Sequence, residues 1–326
     1  MKLGIVGSGK IVQEFLPWLA SCRAFEVAAL CSTQRSADKA AALCAQYGVP
    51  LHVTDYGQLL AAVDVVYIAL PNLLHTAYAK AALEAGRHVI VEKPLAPCAG
   101  EAAALAALAH RKGCFLFEAV TTQYLENYRK LRQLLPRVGQ VKLVQCNFSQ
   151  YSSRYDGFCA GQTAPVFDPQ QAGGALMDLG VYNVSYIVGL FGEPQQVHYA
   201  ANLERGIDTS GILTMDYRSF KAVSIAAKDC AAPPRYVIQG TRGYLLQKST
   251  ANFCGPVTLH LNDGREEHFS LNGKRPRCAA EFEVIAHAIA TGDQELCSGM
   301  LETSLAVSRV LTAARQTAGI KFPCDK

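Results

Sequence analysis

The sequence predicts an α/β fold in two parts: an N-terminal doubly wound parallel sheet, and a C-terminal α+β part built on a large open, mainly antiparallel sheet. Three observations predict it. β-rich runs alternate with helical patterns through the first 120 residues, which is the rhythm of βαβ units. After about residue 121 the strand-like runs crowd together as though joined by turns, which suits an antiparallel sheet. At 326 residues the chain also exceeds what one hydrophobic core usually serves. We therefore divide it into residues 1–120 and 121–326.

In the first part the strand-like runs are residues 3–7, 25–31, 49–53, 63–70, 88–92 and 115–118. Between them Ile11, Phe15 and Leu19 recur at helical spacing, as do Ala79 and Leu83, and residues 101–111 form an alanine-rich helix former. Five crossovers fit a doubly wound sheet. Pro17 lies inside the first helical pattern, where its missing N–H should kink or shorten the helix. The second part reads as a helix over 125–135, a long strand over 141–151, an irregular loop to 174 and a helix over 175–190. Strand-like runs follow at 196–203, 211–217, 221–227, 236–239, 243–246, 257–261 and 267–271, and helices over 280–290 and 301–318 close the chain.

Composition narrows the class of protein. Half the residues are hydrophobic and 18% are charged, which excludes disorder. The 31 basic and 27 acidic residues are interspersed, with no basic run and no aromatic-interleaved basic stripe, so nucleic acid is not an expected partner. No apolar stretch reaches the roughly 18 residues of a bilayer span, and the N-terminus opens directly into a strand, so we expect no membrane association and a cytoplasmic protein. The twelve cysteines are scattered through apolar segments without a CxxC pair or zinc-like spacing. They are expected to be free thiols, with no metal site. His52, His88 and His287 sit in apolar patterns and are read as structural.

Gly7-Ser8-Gly9-Lys10-Ile11-Val12 follows the first strand and opens the first helix. It supplies two of the three glycines of the GxGxxG fingerprint, with Val12 in the third place. Two glycines permit a tight turn and close approach of a pyrophosphate, whose charge meets unpaired N–H groups at the helix N-terminus. In its βαβ context the motif points to a Rossmann dinucleotide site formed by Gly7, Ser8, Gly9, Lys10 and Ile11. The second strand ends in Cys31-Ser32-Thr33-Gln34-Arg35-Ser36, with no carboxylate before Asp38. An NAD site usually places an acid there for the ribose 2′-OH. Ser32, Thr33 and Arg35, with Lys10 nearby, suit a 2′-phosphate instead, so NADP(H) is expected over NAD(H). A solvated loop charge is the competing reading of Arg35.

Leu70-Pro71-Asn72-Leu73-Leu74-His75 ends the fourth strand and Glu92-Lys93-Pro94 the fifth. Open α/β sheets bind ligands at such carboxyl ends, so Leu70, Pro71, Asn72, His75, Glu92 and Lys93 are candidate cofactor contacts. Further on, Gly173-Gly174-Ala175-Leu176-Met177-Asp178-Leu179-Gly180-Val181-Tyr182 opens a helix. In this order and spacing the motifs resemble the glucose–fructose oxidoreductase, inositol dehydrogenase and MocA family, over essentially the whole chain. The resemblance implies an NAD(P)-binding Rossmann domain at 1–120 and a substrate-binding and oligomerisation domain at 121–326. It also implies hydride exchange between a nicotinamide and a sugar, polyol, diol or related carbonyl compound.

The residues agree with that implication. Asp178 and Tyr182 are four apart and share a helix face. Carbonyl reduction needs a proton donor beside the nascent alkoxide, and oxidation needs the same group as base. A tyrosine has an ordinary pKa near 10, and an ammonium such as that of Lys93 would stabilise its phenolate. Lys93, Asp178 and Tyr182 are thus the candidate catalytic residues; a core phenol bonded to backbone is the bland reading of Tyr182. Many relatives carry histidine in its place, and the tyrosine is similar to the dimeric dihydrodiol dehydrogenase branch, as is Phe117-Glu118-Ala119. Thr121-Thr122-Gln123 departs from that branch, which often has an aromatic and a basic residue there. Glu118, Gln123, Tyr151, Arg154 and Asp178 are candidate substrate contacts, although the segment around Tyr151 and Arg154 reads equally as an exposed loop. A nicotinamide-binding redox sensor without turnover is the alternative function. Alternation in the C-terminal strands, with Ile212 and Thr214 opposite Leu213 and Met215, leaves one sheet face for a partner. Relatives commonly pair through this sheet, so a homodimer or tetramer is expected, unless the last helix covers that face.

Overall fold

The computed structural model describes residues 1–325. The chain divides into two compact units, the first made of Met1–Ala119 with Cys278–Glu302, the second of Val120–Arg277 with the chain from Thr303 on. The sequence rhythm placed a boundary near residue 120 but did not announce the return of residues 278–302 to the first unit.

The first unit holds a parallel sheet in the order β3-β2-β1-β4-β5-β6. Its strands are β1 (Lys2–Val6), β2 (Glu26–Cys31), β3 (Leu51–Val53), β4 (Val65–Ile68), β5 (His88–Glu92) and β6 (Leu116–Ala119), crossed by α1 (Lys10–Leu19), α2 (Ala37–Tyr47), α3 (Tyr56–Ala62), α4 (His75–Glu84) and α5 (Ala99–Lys112). The chain starts in the middle, so the order reverses between β1 and β4, and the carboxyl ends there frame a crevice where doubly wound sheets bind ligands. β1, β4 and β5 are buried on both faces, as expected of strands covered by helices on either side. Pro17 shortens α1: it sits in the last turn and the helix stops two residues later. Residues 278–302 contribute α9 (Cys278–Thr291) and the start of α10 (Gln294–Thr317). From α9, Phe282 meets Phe15, Phe25 and Tyr67 edge-on, with ring centroids 6.3, 6.2 and 5.1 Å away.

The second unit carries an eight-stranded sheet in the order β14-β13-β12-β11-β7-β10-β9-β8. The strands are β7 (Val141–Ser149), β8 (Gln196–Glu204), β9 (Ile207–Asp216), β10 (Lys221–Ala227), β11 (Arg235–Gly240), β12 (Gly243–Gln247), β13 (Val257–Leu261) and β14 (Glu266–Phe269). Every pairing is antiparallel except β7 with β10 at the centre. Helices α6 (Glu126–Leu134), α7 (Tyr155–Cys159) and α8 (Val181–Phe191) belong to the same unit. Val144, Cys146 and Phe148 of β7 and Leu213 and Met215 of β9 point into a core with α8 and with Val307, Val310, Leu311 and Ala314 of α10. The last helix therefore lies on the inner face, and Leu143 and Ile212 remain 50% and 47% exposed on the other.

None of the twelve cysteines, all among the described residues, forms a disulfide, and eight are buried. The stretch Pro169–Phe191 is, by length and composition, apolar enough to cross a membrane, contrary to the sequence expectation; 78% of its most apolar window is buried inside the protein, and the stretch ends in α8 of the second unit.

Candidate active site

The β1–α1 turn has the chemistry of a phosphate cradle. Gly7 has φ +112° and a Cβ there would lie 2.4 Å from the Ala69 carbonyl, so only glycine fits. At Gly9 a Cβ would meet nothing within 4 Å, which leaves open space above the start of α1. No side chain caps that helix and no acidic residue stands in its first turn, so its N–H groups and positive dipole end remain for an anion. Lys10 is exposed at the same place. These residues fit the pyrophosphate of a dinucleotide.

At the end of β2, Ser32 is buried and its hydroxyl lies 3.0 Å from His52 Nε2. The Thr33 hydroxyl is 2.9 Å from that of Ser36, and Arg35 is exposed in the 3₁₀ turn Gln34–Ser36. Asp55 is spent on the Gly57 N–H at 2.7 Å, where it caps α3. The β2 end thus presents hydroxyls and a guanidinium.

Two residues expected to touch the cofactor are buried and bonded within the protein. His75 is fully buried, with Nδ1 2.8 Å from the Pro94 carbonyl and Nε2 2.8 Å from that of Leu70. Burial lowers its pKa, and a neutral ring donates to only one of these carbonyls. It is a strut that ties the loop after β4 to the loop after β5. Glu92 is likewise buried, and its carboxylate accepts the Tyr67 hydroxyl at 2.5 Å, beneath the sheet edge that carries Lys93. Leu70, Pro71 and Asn72 keep accessible surface on the loop after β4, and Lys93 is half-buried ahead of a cis peptide bond to Pro94.

Of the expected substrate contacts, Glu118 is buried and accepts the Leu95 N–H at 2.8 Å, in the turn after Lys93. Thr122 is also inaccessible, its hydroxyl on the Ala251 carbonyl at 3.0 Å. Gln123 packs towards Gly189 of α8. Tyr151 and Arg154 are exposed beyond β7, and the Tyr151 hydroxyl donates to Asp156 at 2.6 Å.

The second unit sets Asp178 and Tyr182 on one continuous helix. A π-helical turn, Leu176–Gly180, runs straight into α8, and this widened turn was not legible in the sequence. Its start is pinned by Asp208 of β9, whose carboxylate accepts the Leu176 N–H at 2.7 Å and the Tyr199 hydroxyl at 2.8 Å. Next to Tyr182, Asn183 donates to the Ile225 carbonyl at 2.9 Å and accepts the Tyr236 hydroxyl at 2.5 Å, which locks the helix to the sheet. Tyr182 is 7% exposed and its ring lies 6.0 Å from that of Phe148. Asp178 makes an ion pair with Lys228. Sequence reasoning missed both Asp208 and Lys228. Each stands at the end of a strand, and one charge bounding an apolar run carries no signal of its own.

A doubly wound sheet with an open phosphate cradle, and a second unit that presents a carboxylate and a phenol from one fixed helix, define a nicotinamide-dependent oxidoreductase. The chain belongs to the GFO/IDH/MocA oxidoreductase family: residues 1–120 match its NAD-binding Rossmann fold and residues 128–246 its C-terminal domain. It is 32% identical to scyllo-inositol 2-dehydrogenase (NADP(+)) IolU of Bacillus subtilis, over 100% of this chain and 99% of that one. It is 31% identical to D-xylose 1-dehydrogenase (NADP(+)) 2 of Haloferax volcanii, over 98% and 97% of the two chains. Among solved structures, the 3-ketoreductase KijD10 of Actinomadura kijaniata, in complex with NADP and TDP-benzene, superposes with a TM-score of 0.84 at 25% identity over 97% of each chain.

Proposed function

We propose that this oxidoreductase is an NADP(H)-dependent dehydrogenase or reductase of a sugar, polyol or vicinal diol, with Tyr182 as the group that exchanges the proton. The observation that carries the reading is the pairing of Asp178 and Tyr182 on a helix whose start and side are tied to the sheet. When bound, the nicotinamide accepts or gives the hydride. Tyr182 holds the proton at its phenolic oxygen: it donates to the carbonyl oxygen in reduction and takes the hydroxyl proton in oxidation. Lys93 serves that exchange, because an ammonium stabilises the phenolate form of a tyrosine. Asp178 accepts a hydrogen bond from a neighbouring substrate hydroxyl and so orients the reacting carbon.

The preference for NADP(H) rests on Ser32, Thr33 and Arg35 at the end of β2, and on the absence of a carboxylate there before Asp38. The NADP(+) in the names of two relatives agrees with it. The exposed sheet face around Leu143 and Ile212 supports a two-fold homodimer or a tetramer of such dimers.

The test is turnover of scyllo-inositol, D-xylose and trans-1,2-dihydrobenzene-1,2-diol with NADP⁺, and of the matching carbonyl compounds with NADPH. Saturable turnover of one of them is expected. Tight NADPH binding without turnover of any would replace the enzyme with a sensor.

A further inference from the structure

Lys228 is the first residue past β10, and its backbone is fixed on both sides. Its N–H donates to the Thr209 carbonyl at 2.8 Å and its carbonyl accepts the Ser152 N–H at 2.9 Å. The side chain is 7% exposed and runs past Phe167, with Nζ 6.0 Å from the ring centroid, to the carboxylate of Asp178, which is 30% exposed. The ammonium is inside the protein and its carboxylate partner is partly exposed.

As a source of stability this is a poor bargain. Taking an ammonium out of water costs several kcal/mol, and an apolar side chain of similar volume is often neutral or better. The arrangement makes sense as a constraint. A lone Asp side chain on a helix samples several χ1 and χ2 settings, whereas one held by an ammonium whose own backbone is bonded twice has one. Asp208 already fixes the start of the same helix from β9. Two charged side chains from neighbouring strands thus control the helix and the carboxylate it carries.

We infer that Lys228 is a positioning residue for Asp178: it fixes the carboxylate so that the exposed part of Asp178 meets a substrate hydroxyl in one geometry. It also neutralises Asp178, which leaves the carboxylate as a hydrogen-bond acceptor and Tyr182 as the group that moves the proton. The role rests on the function proposed above, since it acts on that reaction.

The test compares the parent, Lys228→Met, Lys228→Arg, Asp178→Asn and the Lys228→Met/Asp178→Asn pair, with NADP⁺ and scyllo-inositol or D-xylose, whichever turns over faster. A misplacement of about 1 Å in a positioning group costs on the order of 100-fold in rate. Lys228→Met should lose roughly 10- to 100-fold in kcat while NADPH affinity, read by fluorescence, stays within about threefold. Lys228→Arg should recover most of the loss. In the Asp178→Asn background Lys228→Met should cost less than about threefold, because the two residues act as one unit. A folded Lys228→Met with parental kcat overturns the role, as do losses that multiply in the double variant. If Lys228→Met does not fold, Lys228→Gln takes its place, since it keeps a donor and removes the charge. A parent that turns over no substrate overturns the proposed function, and this role with it; a parent that is active beside an unaffected Lys228→Met overturns this role alone.

Discussion

Asp208 accepts the backbone N–H of Leu176 at 2.7 Å from a position with no access to water, and so closes the first turn of the helix that carries Asp178 and Tyr182. Burial pushes its carboxyl up to about 6, although the bonds from Leu176 and Tyr199 pull the other way. The folded state therefore keeps this proton in a range where the unfolded chain has lost it. Stability should fall as pH rises from about 4 to about 6 and then level off, by on the order of 3 kcal/mol at about 1.4 kcal/mol per unit. Asp208→Asn removes the titration. Its stability relative to the parent should rise over that window, read as denaturation midpoints at pH 4, 5, 6 and 7; a difference that stays flat contradicts the assignment.

Gly174 is the counterpart of this contact. It has φ +106° and a Cβ there would lie 2.0 Å from Asp208 Oδ1. Gly174→Ala should cost about 2 kcal/mol or more, because it adds backbone strain to a clash in a packed site. Calorimetry checks this, and an unchanged melting temperature counts against it.

Tyr182→Phe keeps the ring against Phe148 and deletes only the hydroxyl. Turnover should drop roughly 10²- to 10⁴-fold. NADPH affinity should stay within a few fold, since Tyr182 stands in the second unit and the phosphate cradle in the first. Full activity in this variant would remove Tyr182 from the chemistry.

NADPH should bind more tightly than NADH, and Arg35→Ala should narrow the gap by roughly tenfold or more, the worth of a charge-assisted bond to the 2′-phosphate. Equal affinities in the parent would rule out the cofactor preference.

On the outer sheet face Ile212 of β9 stands opposite Ile225 of β10. Sedimentation at micromolar concentration should give twice the chain mass of 35.1 kDa, or a tetramer. Ile212→Glu should shift the distribution to monomer. A parent that is already monomeric refutes pairing through this face.

Local signals carried most of the fold. The Gly7–Gly9 turn, the strand ends at Leu70 and Glu92, and the alternation of Ile212 with Leu213 follow from backbone sterics and period-two burial, and a sequence shows both. The π turn at Leu176–Gly180 was not legible, because one extra residue in a helical turn leaves the apolar spacing nearly unchanged. The parallel pairing of β7 with β10 was hidden because strand order depends on contacts some eighty residues apart. At the site, residue type suggested Lys93, Asp178 and Tyr182, but nothing local separates a carboxylate that faces a ligand from one spent on a buried N–H. Glu118 is bonded in this way to the Leu95 N–H, and Glu92 accepts the Tyr67 hydroxyl.

The seat of Phe282 among Phe15, Phe25 and Tyr67 bears on how this protein is made and how it can be cut. The ribosome delivers residues 1–119 long before α9 exists, so the nascent first unit must wait through nearly half the polypeptide for the ring that completes its aromatic cluster. A fragment ending at Ala119 would expose apolar rings to water and to other chains. Exchange of cofactor modules between relatives would accordingly have to transplant two separate pieces of chain, residues 1–119 and 278–302, as one cargo.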